Sequence, residues 1–133
     1  MRQRGLFLVL ILFPLNIVLA EGAFEYQDPI LTQNGIEYAI TGVAETKADP
    51  RWRDFPLKLE FATVRHELYS NIAVAIYDEA KQKVFAVQSH GPWLLVRLKA
   101  GSYTVYATDE KGVKKSLAAQ VPATGQVEYT LKW

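Results

Sequence analysis

Hydrophobic and polar residues alternate along most of the chain after residue 35, and this alternation predicts β-strands. The C-terminus shows it most clearly, because Val127, Tyr129, Leu131 and Trp133 occupy every second position with polar residues between them. Successive side chains of a strand point to opposite faces, so the pattern predicts a strand with one buried face. Further segments with the length and composition of strands are 36–43, 57–61, 71–77, 83–89, 93–99, 102–108 and 113–121.

Short polar segments between these strands have the composition of hairpin turns. Residues 78–82 separate two apolar runs, and residues 109–112 end in Gly112, which suits a turn position with positive φ. Seven or eight short strands joined by polar turns predict an all-β fold, an antiparallel β-sandwich or a partly open barrel.

One short helix is predicted between the first two of these strands. Asp49 is suited to the N-cap and Pro50 to the first helical position, while Phe55-Pro56 ends the helix after a turn or two. Residues 21–35 show no usable period and are expected to be irregular. The β-sandwich domain is therefore assigned to residues 36–133.

The first 20 residues have the pattern of a signal peptide. Arg2 and Arg4 precede an unbroken apolar run at residues 6–13, and small or modest side chains lead up to Ala20. The alternative is an uncleaved membrane anchor, but the apolar run is shorter than the roughly 20 residues needed to span a bilayer. We expect cleavage after Ala20, no membrane anchor thereafter, and a periplasmic or secreted location.

The composition of the chain after residue 20 limits the kinds of partner that it is expected to bind. The chain contains no cysteine, whereas small secreted animal domains usually rely on disulfides, so a bacterial envelope protein is favoured. About 113 residues are enough for one core without disulfides or structural metals. Without Arg2 and Arg4, 13 basic and 14 acidic residues remain, a balance that does not favour nucleic acid or anionic membranes as partners.

The stretch GPWLLVRLKAGSYTVYAT, residues 91–108, predicts a strand break followed by a hairpin. Pro92 lacks an N–H group and fits only the start or edge of a strand. Tyr103 follows the tight turn at Ala100-Gly101, where a tyrosine often buries its ring and bonds a loop carbonyl through its hydroxyl. Aliphatic side chains at alternate positions of the first strand are expected to point inward: Leu94, Val96 and Leu98.

This hairpin resembles that of carboxypeptidase regulatory-like domains, which have a transthyretin-like β-sandwich fold. The strand LKLEFA at residues 57–62 and the final strand ending in Trp133 strengthen the resemblance to small exported proteobacterial proteins of this type. The resemblance covers residues 36–133. It implies a transthyretin- or Ig-like sandwich that acts as a non-catalytic module.

No pattern in the chain indicates an enzyme, a metal site or a cofactor. A metal site needs about three or four convergent ligands, and only His66, His90 and scattered carboxylates are available. The acidic pairs Asp78-Glu79 and Asp109-Glu110 fall in predicted turns beside lysines. We therefore predict no catalytic or metal-binding residue, and hydrolysis by the two histidines is the least favoured hypothesis.

The residues that remain as a candidate binding surface are Trp52, Tyr69, His90 and Trp93. The first hypothesis is docking on an envelope protein through a sheet edge or the loop end near Trp93. The second is binding of a carbohydrate or peptidoglycan fragment by exposed Trp52 and Trp93, since indole rings stack on sugars. The structural alternative is that Trp52 packs the short helix onto the sheet and Trp93 closes one end of the sandwich.

Overall fold

The computed structural model describes residues 28–133, which form two β-sheets packed face to face. The predicted signal peptide and its cleavage site lie outside the described residues. The described residues form nine strands: β1 (Leu31–Gln33), β2 (Ile36–Thr41), β3 (Leu57–Ala62), β4 (Ile72–Tyr77), β5 (Lys83–Ser89), β6 (Trp93–Val96), β7 (Gly101–Thr108), β8 (Lys114–Val121) and β9 (Val127–Lys132). The predicted all-β sandwich is confirmed.

The five-stranded sheet has the order β1-β2-β6-β3-β9, and the four-stranded sheet has the order β5-β4-β7-β8. All eight predicted strands are present. The sheets are antiparallel apart from one pair, because β9 runs parallel to β3, with Leu57 opposite Val127 and Ala62 opposite Lys132. A long chain separation permits this pairing, since parallel neighbours cannot be joined by a tight hairpin.

The first strand was not predicted, because residues 21–35 were expected to be irregular. Leu31–Gln33 pairs antiparallel with β2. The connecting residues Asn34 and Gly35 have φ angles of 49° and 80°. Positive φ at both central residues defines a type I′ hairpin turn, for which Asn-Gly is the preferred dipeptide. The feature of the sequence that indicates β1 is therefore the Asn34-Gly35 turn and not a hydrophobic periodicity.

The predicted short helix is a 3₁₀ turn at Pro50–Asp54, and a second 3₁₀ turn at Ala44–Ala48 precedes it. The predicted N-cap is confirmed, because the carboxylate of Asp49 accepts a hydrogen bond from the Arg51 backbone N–H at 2.9 Å. We call residues 44–54 the 3₁₀ segment. Within residues 28–133 there is no helix with the length and hydrophobicity of a transmembrane segment.

The core lies between the inner faces of the two sheets, where the alternation of the sequence is reproduced. Tyr103, Val105 and Ala107 of β7 face inward, and the last two are fully buried. Burying one aliphatic or aromatic side chain stabilises the fold by about 1.5–3 kcal/mol. The largest fully buried side chains of the core include Leu57, Leu59, Phe61, Ile72, Ile76, Phe85, Leu94, Val96 and Val105.

The 3₁₀ segment covers part of the outer face of the five-stranded sheet, over Ala39 and Leu95. Trp52 of this segment and Phe55, which directly follows it, form a second buried cluster with Ala39 and Leu95 of the sheet. Leu95 is fully buried although its neighbours in β6 point into the main core. The central strand β6 is therefore apolar on both faces, which explains why its sequence alternates poorly.

Candidate functional site

Trp52 is buried and belongs to the second cluster, so the exposure required by the carbohydrate hypothesis is not found for this residue. Its side chain is 4% exposed. The indole Nε1 donates a hydrogen bond to the carbonyl of Thr46 at 2.8 Å, and the ring lies 6.2 Å from that of Phe55. Trp52 thus packs the 3₁₀ segment onto the sheet, as the structural alternative predicted.

Trp93 is half-buried on the same outer face and is held by its neighbours. The Lys58 Nζ atom lies 3.4 Å from the centroid of its ring. Its Nε1 donates to the Glu60 carboxylate at 3.1 Å. Gly42 packs so closely against the Trp93 ring that a Cβ atom on this residue would lie 2.6 Å from the indole Cγ. The ring therefore contacts an ammonium, a carboxylate and a glycine, and the ammonium lies over the ring, where a sugar would have to stack.

His90 is exposed in the tight turn between β5 and β6. The turn is held by the Ser89 hydroxyl, which donates to the Gly91 carbonyl at 2.8 Å, and by the Phe61 N–H, which donates to the Pro92 carbonyl at 2.8 Å. A Cβ atom on Gly91 would lie 2.8 Å from the carbonyl oxygen of Thr41. The residues around His90 therefore have a structural role in packing this turn against β2.

His66 lies in the β3–β4 loop, where its Nδ1 is 3.3 Å from the Nζ of Lys132. His66 itself has a φ of 68°, in the left-handed region. Among residues 28–133 no group of three or more histidine, aspartate and glutamate side chains is arranged to hold a metal ion.

Tyr69 joins the β3–β4 loop to the β7–β8 turn. Its hydroxyl donates to the Asp109 carboxylate at 3.0 Å, and its ring lies 5.5 Å from that of Trp133. Asp109 is 7% exposed and also accepts the backbone N–H groups of Lys111 and Val113 at 3.0 and 2.7 Å. The β3–β4 loop, the β7–β8 turn and the residue after β9 are thus connected at one end of the sandwich.

The ionisation of this pair follows from the same contacts. The hydrogen bond to Asp109, together with burial, raises the pKa of Tyr69 above its ordinary value. Burial opposes ionisation of Asp109, but the hydrogen bonds from Val113, Tyr69 and Lys111 outweigh it and lower the pKa of this carboxyl. Asp109 is therefore a carboxylate and Tyr69 a neutral donor at neutral pH, as a structural connection requires.

Trp133 is the centre of this end of the sandwich. Its backbone N–H donates to the carbonyl of Ala62 at 3.0 Å, and its carbonyl accepts the N–H of Val64 at 2.7 Å. Its indole Nε1 donates to the carbonyl of Val113 at 2.9 Å. The β3–β4 loop and the β7–β8 turn are therefore both bonded to the same residue.

These loops present exposed aliphatic side chains beside Trp133. Val64 is 70% exposed, Leu68 is 43% exposed and Val113 is 46% exposed. Leu68 belongs to this group because it forms an isolated bridge with Ala62, which is itself bonded to Trp133. We call Val64, Leu68 and Val113 the apolar loop surface. The sequence did not indicate it, because loops lack the periodicity from which exposure is inferred.

A groove on the outer face of the four-stranded sheet is a separate candidate site. It has a volume of about 890 Å³. Its lining includes Ala73, Ala75, Tyr77, Asp78, Lys81, Ala86, Gln88, Thr104, Tyr106, Thr108 and Lys114. None of these residues was predicted as a site, although the alternation of β4 and β7 placed most of them on one solvent-facing side.

No protein-family model matches the chain, and no curated protein matches it significantly. Of the four residues predicted as a binding surface, only Tyr69 lies beside the apolar loop surface. Trp52 and Trp93 pack together on the outer face of the five-stranded sheet, and His90 lies in the β5–β6 turn.

Proposed function

We propose that this chain is a non-catalytic binding module that docks on a protein partner through the apolar loop surface. The observation that carries the proposal is that exposed Val64 and Val113 are both hydrogen-bonded to Trp133, while exposed Leu68 is bridged to Ala62, which is bonded to the same residue. Single exposed aliphatic residues are common, but a group held together on connected loops is typical of an interaction site.

The rigidity of the loops supports this proposal. The β3–β4 loop is closed by hydrogen bonds from the Thr63 N–H to the Glu67 carbonyl and from the Tyr69 N–H to the Phe61 carbonyl, at 2.8 and 3.0 Å. The β7–β8 turn is closed by a hydrogen bond from the Asp109 N–H to the Val113 carbonyl at 3.1 Å. A surface that is already ordered loses less conformational entropy on association.

The charges around the apolar loop surface favour a protein over a polyanion. Arg65, Glu67, Glu110, Lys111 and Lys132 are exposed on the same loops and on the end of β9, and both signs are present. A mixed polar rim around an apolar centre is the usual arrangement of protein–protein interfaces.

Docking through the edges of the four-stranded sheet is less well supported. The Gln33 side chain bonds the backbone of β5 at Ala86, and the Tyr129 hydroxyl accepts the Gln120 N–H of β8 at 2.9 Å. These contacts occupy backbone groups that an added strand would need. The apolar loop surface around Trp133 is thus better supported than these sheet edges, and it differs from the loop end near Trp93 that the sequence suggested.

An accessory role in the bacterial envelope completes the proposal. Its support is the signal-peptide pattern at residues 1–20 and the resemblance of residues 36–133 to carboxypeptidase regulatory-like domains.

The test is capture of partners by the tagged exported chain from crosslinked cell envelopes, with identification by mass spectrometry. The identified protein is then purified and titrated against three chains. These are the wild type, the triple variant Val64→Ser, Leu68→Ser, Val113→Ser, and the control Val43→Ser. Val43 is 58% exposed but lies in the loop after β2.

We expect the wild type and Val43→Ser to bind equally and the triple variant to bind at least about tenfold more weakly. All three chains should unfold at similar temperatures, because substitutions of exposed side chains change stability little. A partner that binds the triple variant as tightly as the wild type would contradict the proposal, and so would recovery of the chain without any stoichiometric protein.

A further inference from the structure

Two cross-strand rows of outward side chains line much of the groove on the four-stranded sheet. One row contains Ala86, Ala75 and Tyr106, because Ala75 of β4 pairs with Ala86 of β5 and Tyr106 of β7. The next row places Ala73 between Gln88 and Thr108. β4 contributes the small side chains Ala73 and Ala75 to these two rows, so the groove lies over this part of β4, with Tyr106, Gln88 and Thr108 beside it.

Tyr77 and Tyr106 stand together in the groove. Their ring centroids are 5.6 Å apart and their planes are almost perpendicular, at 85°. In contrast to the tyrosines that pack against the core, both rings belong to outward positions of their strands. Two neighbouring aromatic rings on an open sheet face provide apolar contact area for a flat or ring-shaped ligand.

A lysine lies near the ring of each of these two tyrosines. The Nζ of Lys114 lies 5.1 Å from the centroid of the Tyr106 ring, and the Nζ of Lys83 lies 5.9 Å from that of Tyr77. Lys81 and Lys114 line the groove together with one acidic residue, Asp78. The Asp78 carboxylate accepts a hydrogen bond from the Gln82 backbone N–H at 2.9 Å. The groove therefore has a local excess of positive charge, although the exported chain is almost neutral.

We propose that this groove binds an anionic oligosaccharide, with sugar rings against the tyrosines and carboxylates at the lysines. The volume of about 890 Å³ lies within the range of ligand pockets, about 300–1,000 Å³. Amide and hydroxyl groups for sugar hydroxyls are present in the lining at Gln88, Thr104 and Thr108. This site is separate from the apolar loop surface and does not depend on it.

The position of the groove favours a sugar over a peptide. An extended peptide gains affinity by adding to a sheet edge, where backbone N–H and C=O groups are free. Within the four-stranded sheet the central strands β4 and β7 are paired on both sides, so their backbone groups are already used. Recognition on this face must come from side chains, and the aromatic, hydroxyl, amide and ammonium groups present are those that bind acidic sugars.

The test uses NMR titration of the ¹⁵N-labelled chain with tetragalacturonate, with its methyl ester as the neutral matched ligand and with hexaglutamate as an acidic peptide. We expect tetragalacturonate to shift the amide signals of Ala75, Ala86 and Tyr106 and to leave those of Val64 and Val113 unchanged. The ester and the peptide should bind at least about tenfold more weakly, since one lacks the charge and the other the rings.

Two variants complete the test. Lys114→Gln and Tyr106→Ala should each weaken binding about tenfold, while Lys99→Gln, an exposed lysine in the β6–β7 turn, should have no effect. Chemical-shift dispersion will show that each variant is folded. Equal binding of hexaglutamate, shifts outside the groove, unchanged binding by Lys114→Gln, or no shifts at millimolar tetragalacturonate would each overturn the proposal.

Discussion

The side chain of Gln33 pairs with the backbone of Ala86 as a neighbouring strand would. Its Nε2 donates to the Ala86 carbonyl at 2.7 Å, and its Oε1 accepts the Ala86 N–H at 3.1 Å. Gln33 lies in β1 of the five-stranded sheet, and Ala86 lies in β5 at the edge of the four-stranded sheet. One side chain therefore joins the two sheets and occupies an exposed strand edge.

Replacing Gln33 should destabilise the fold and expose this edge. Gln33→Ala removes two hydrogen bonds, and we expect the free energy of unfolding to fall by about 1–2 kcal/mol. Free strand edges promote edge-to-edge association, so the variant should also self-associate more readily than the wild type. Urea unfolding measures the first effect, and analytical ultracentrifugation measures the second.

Gln33→Glu is the informative control. A glutamate can still accept the Ala86 N–H, but its second carboxylate oxygen would face the Ala86 carbonyl, so we expect a loss of stability at least as large as that of Gln33→Ala. Equal stability of the wild type and Gln33→Ala would show that this contact does not contribute to the fold.

A substitution of Gly42 should be costly for two separate reasons. Gly42 has a φ of +102°, and a Cβ atom there would lie 2.6 Å from Cγ of Trp93. We expect Gly42→Ala to lower the free energy of unfolding by about 2–4 kcal/mol, as strain and steric overlap add. It should also shift the tryptophan fluorescence, because the Trp93 ring must move.

Gly35→Ala separates these two contributions. Gly35 has a φ of +80°, but a Cβ atom there would contact nothing within 4 Å. We expect a loss of about 1 kcal/mol from backbone strain alone, with unchanged fluorescence. If the two variants were equally stable, the contact between Gly42 and Trp93 would be unimportant.

Trp52 should behave as a core residue and not as a ligand contact. We expect Trp52→Ala to lower the free energy of unfolding by about 3–5 kcal/mol, because it leaves a cavity between the 3₁₀ segment and the sheet. Arg53→Ala, at an exposed neighbouring position, should change it by less than about 0.5 kcal/mol. Chemical denaturation of both variants tests this, and a loss below about 1 kcal/mol for Trp52→Ala would contradict it.

The stability of the fold should fall at acid pH partly because of Asp49. Burial opposes ionisation of Asp49, but the hydrogen bonds and charge of Arg51 outweigh it and lower its pKa. The carboxylate forms an ion pair with Arg51 at 2.6 Å. Because the folded-state pKa is below the unfolded value of about 3.9, the contribution of Asp49 is present above that pH and is lost as the pH falls further.

Asp49→Asn tests this contribution and keeps the N-cap, since asparagine also accepts the backbone N–H. Urea midpoints between pH 7 and pH 3 should fall less steeply for the variant than for the wild type. Parallel pH profiles would show that Asp49 has the same pKa in the folded and unfolded states.

Local chemistry was sufficient to predict much of the fold. Tyr103, expected to hold a loop carbonyl after its turn, donates to the Lys99 carbonyl at 2.8 Å. Gly112, expected at positive φ, has a φ of 84°. The Asp49 N-cap is also confirmed. Each of these features depends on residues close together in the chain, so composition and spacing were enough to infer it.

The missed features depend on contacts between distant segments. The sequence could not decide whether the Trp52 side chain is exposed or buried. An aromatic residue in a short helix has the same neighbours in the sequence in both cases. Its burial is decided by Ala39 and Leu95, which lie on strands of the five-stranded sheet. The parallel pairing of β9 with β3 likewise depends on strand order, about which periodicity contains no information.

The sequence by itself determined the strands, their buried faces and several turns, because backbone geometry makes these properties local. The tertiary structure alone decided where the candidate sites lie. Val64 and Val113 are distant in the chain, and both are hydrogen-bonded to Trp133. The groove exists because three strands place Ala75, Ala86 and Tyr106 in one row. Surface sites require proximity in space, and in a sandwich the pairing of distant strands creates that proximity.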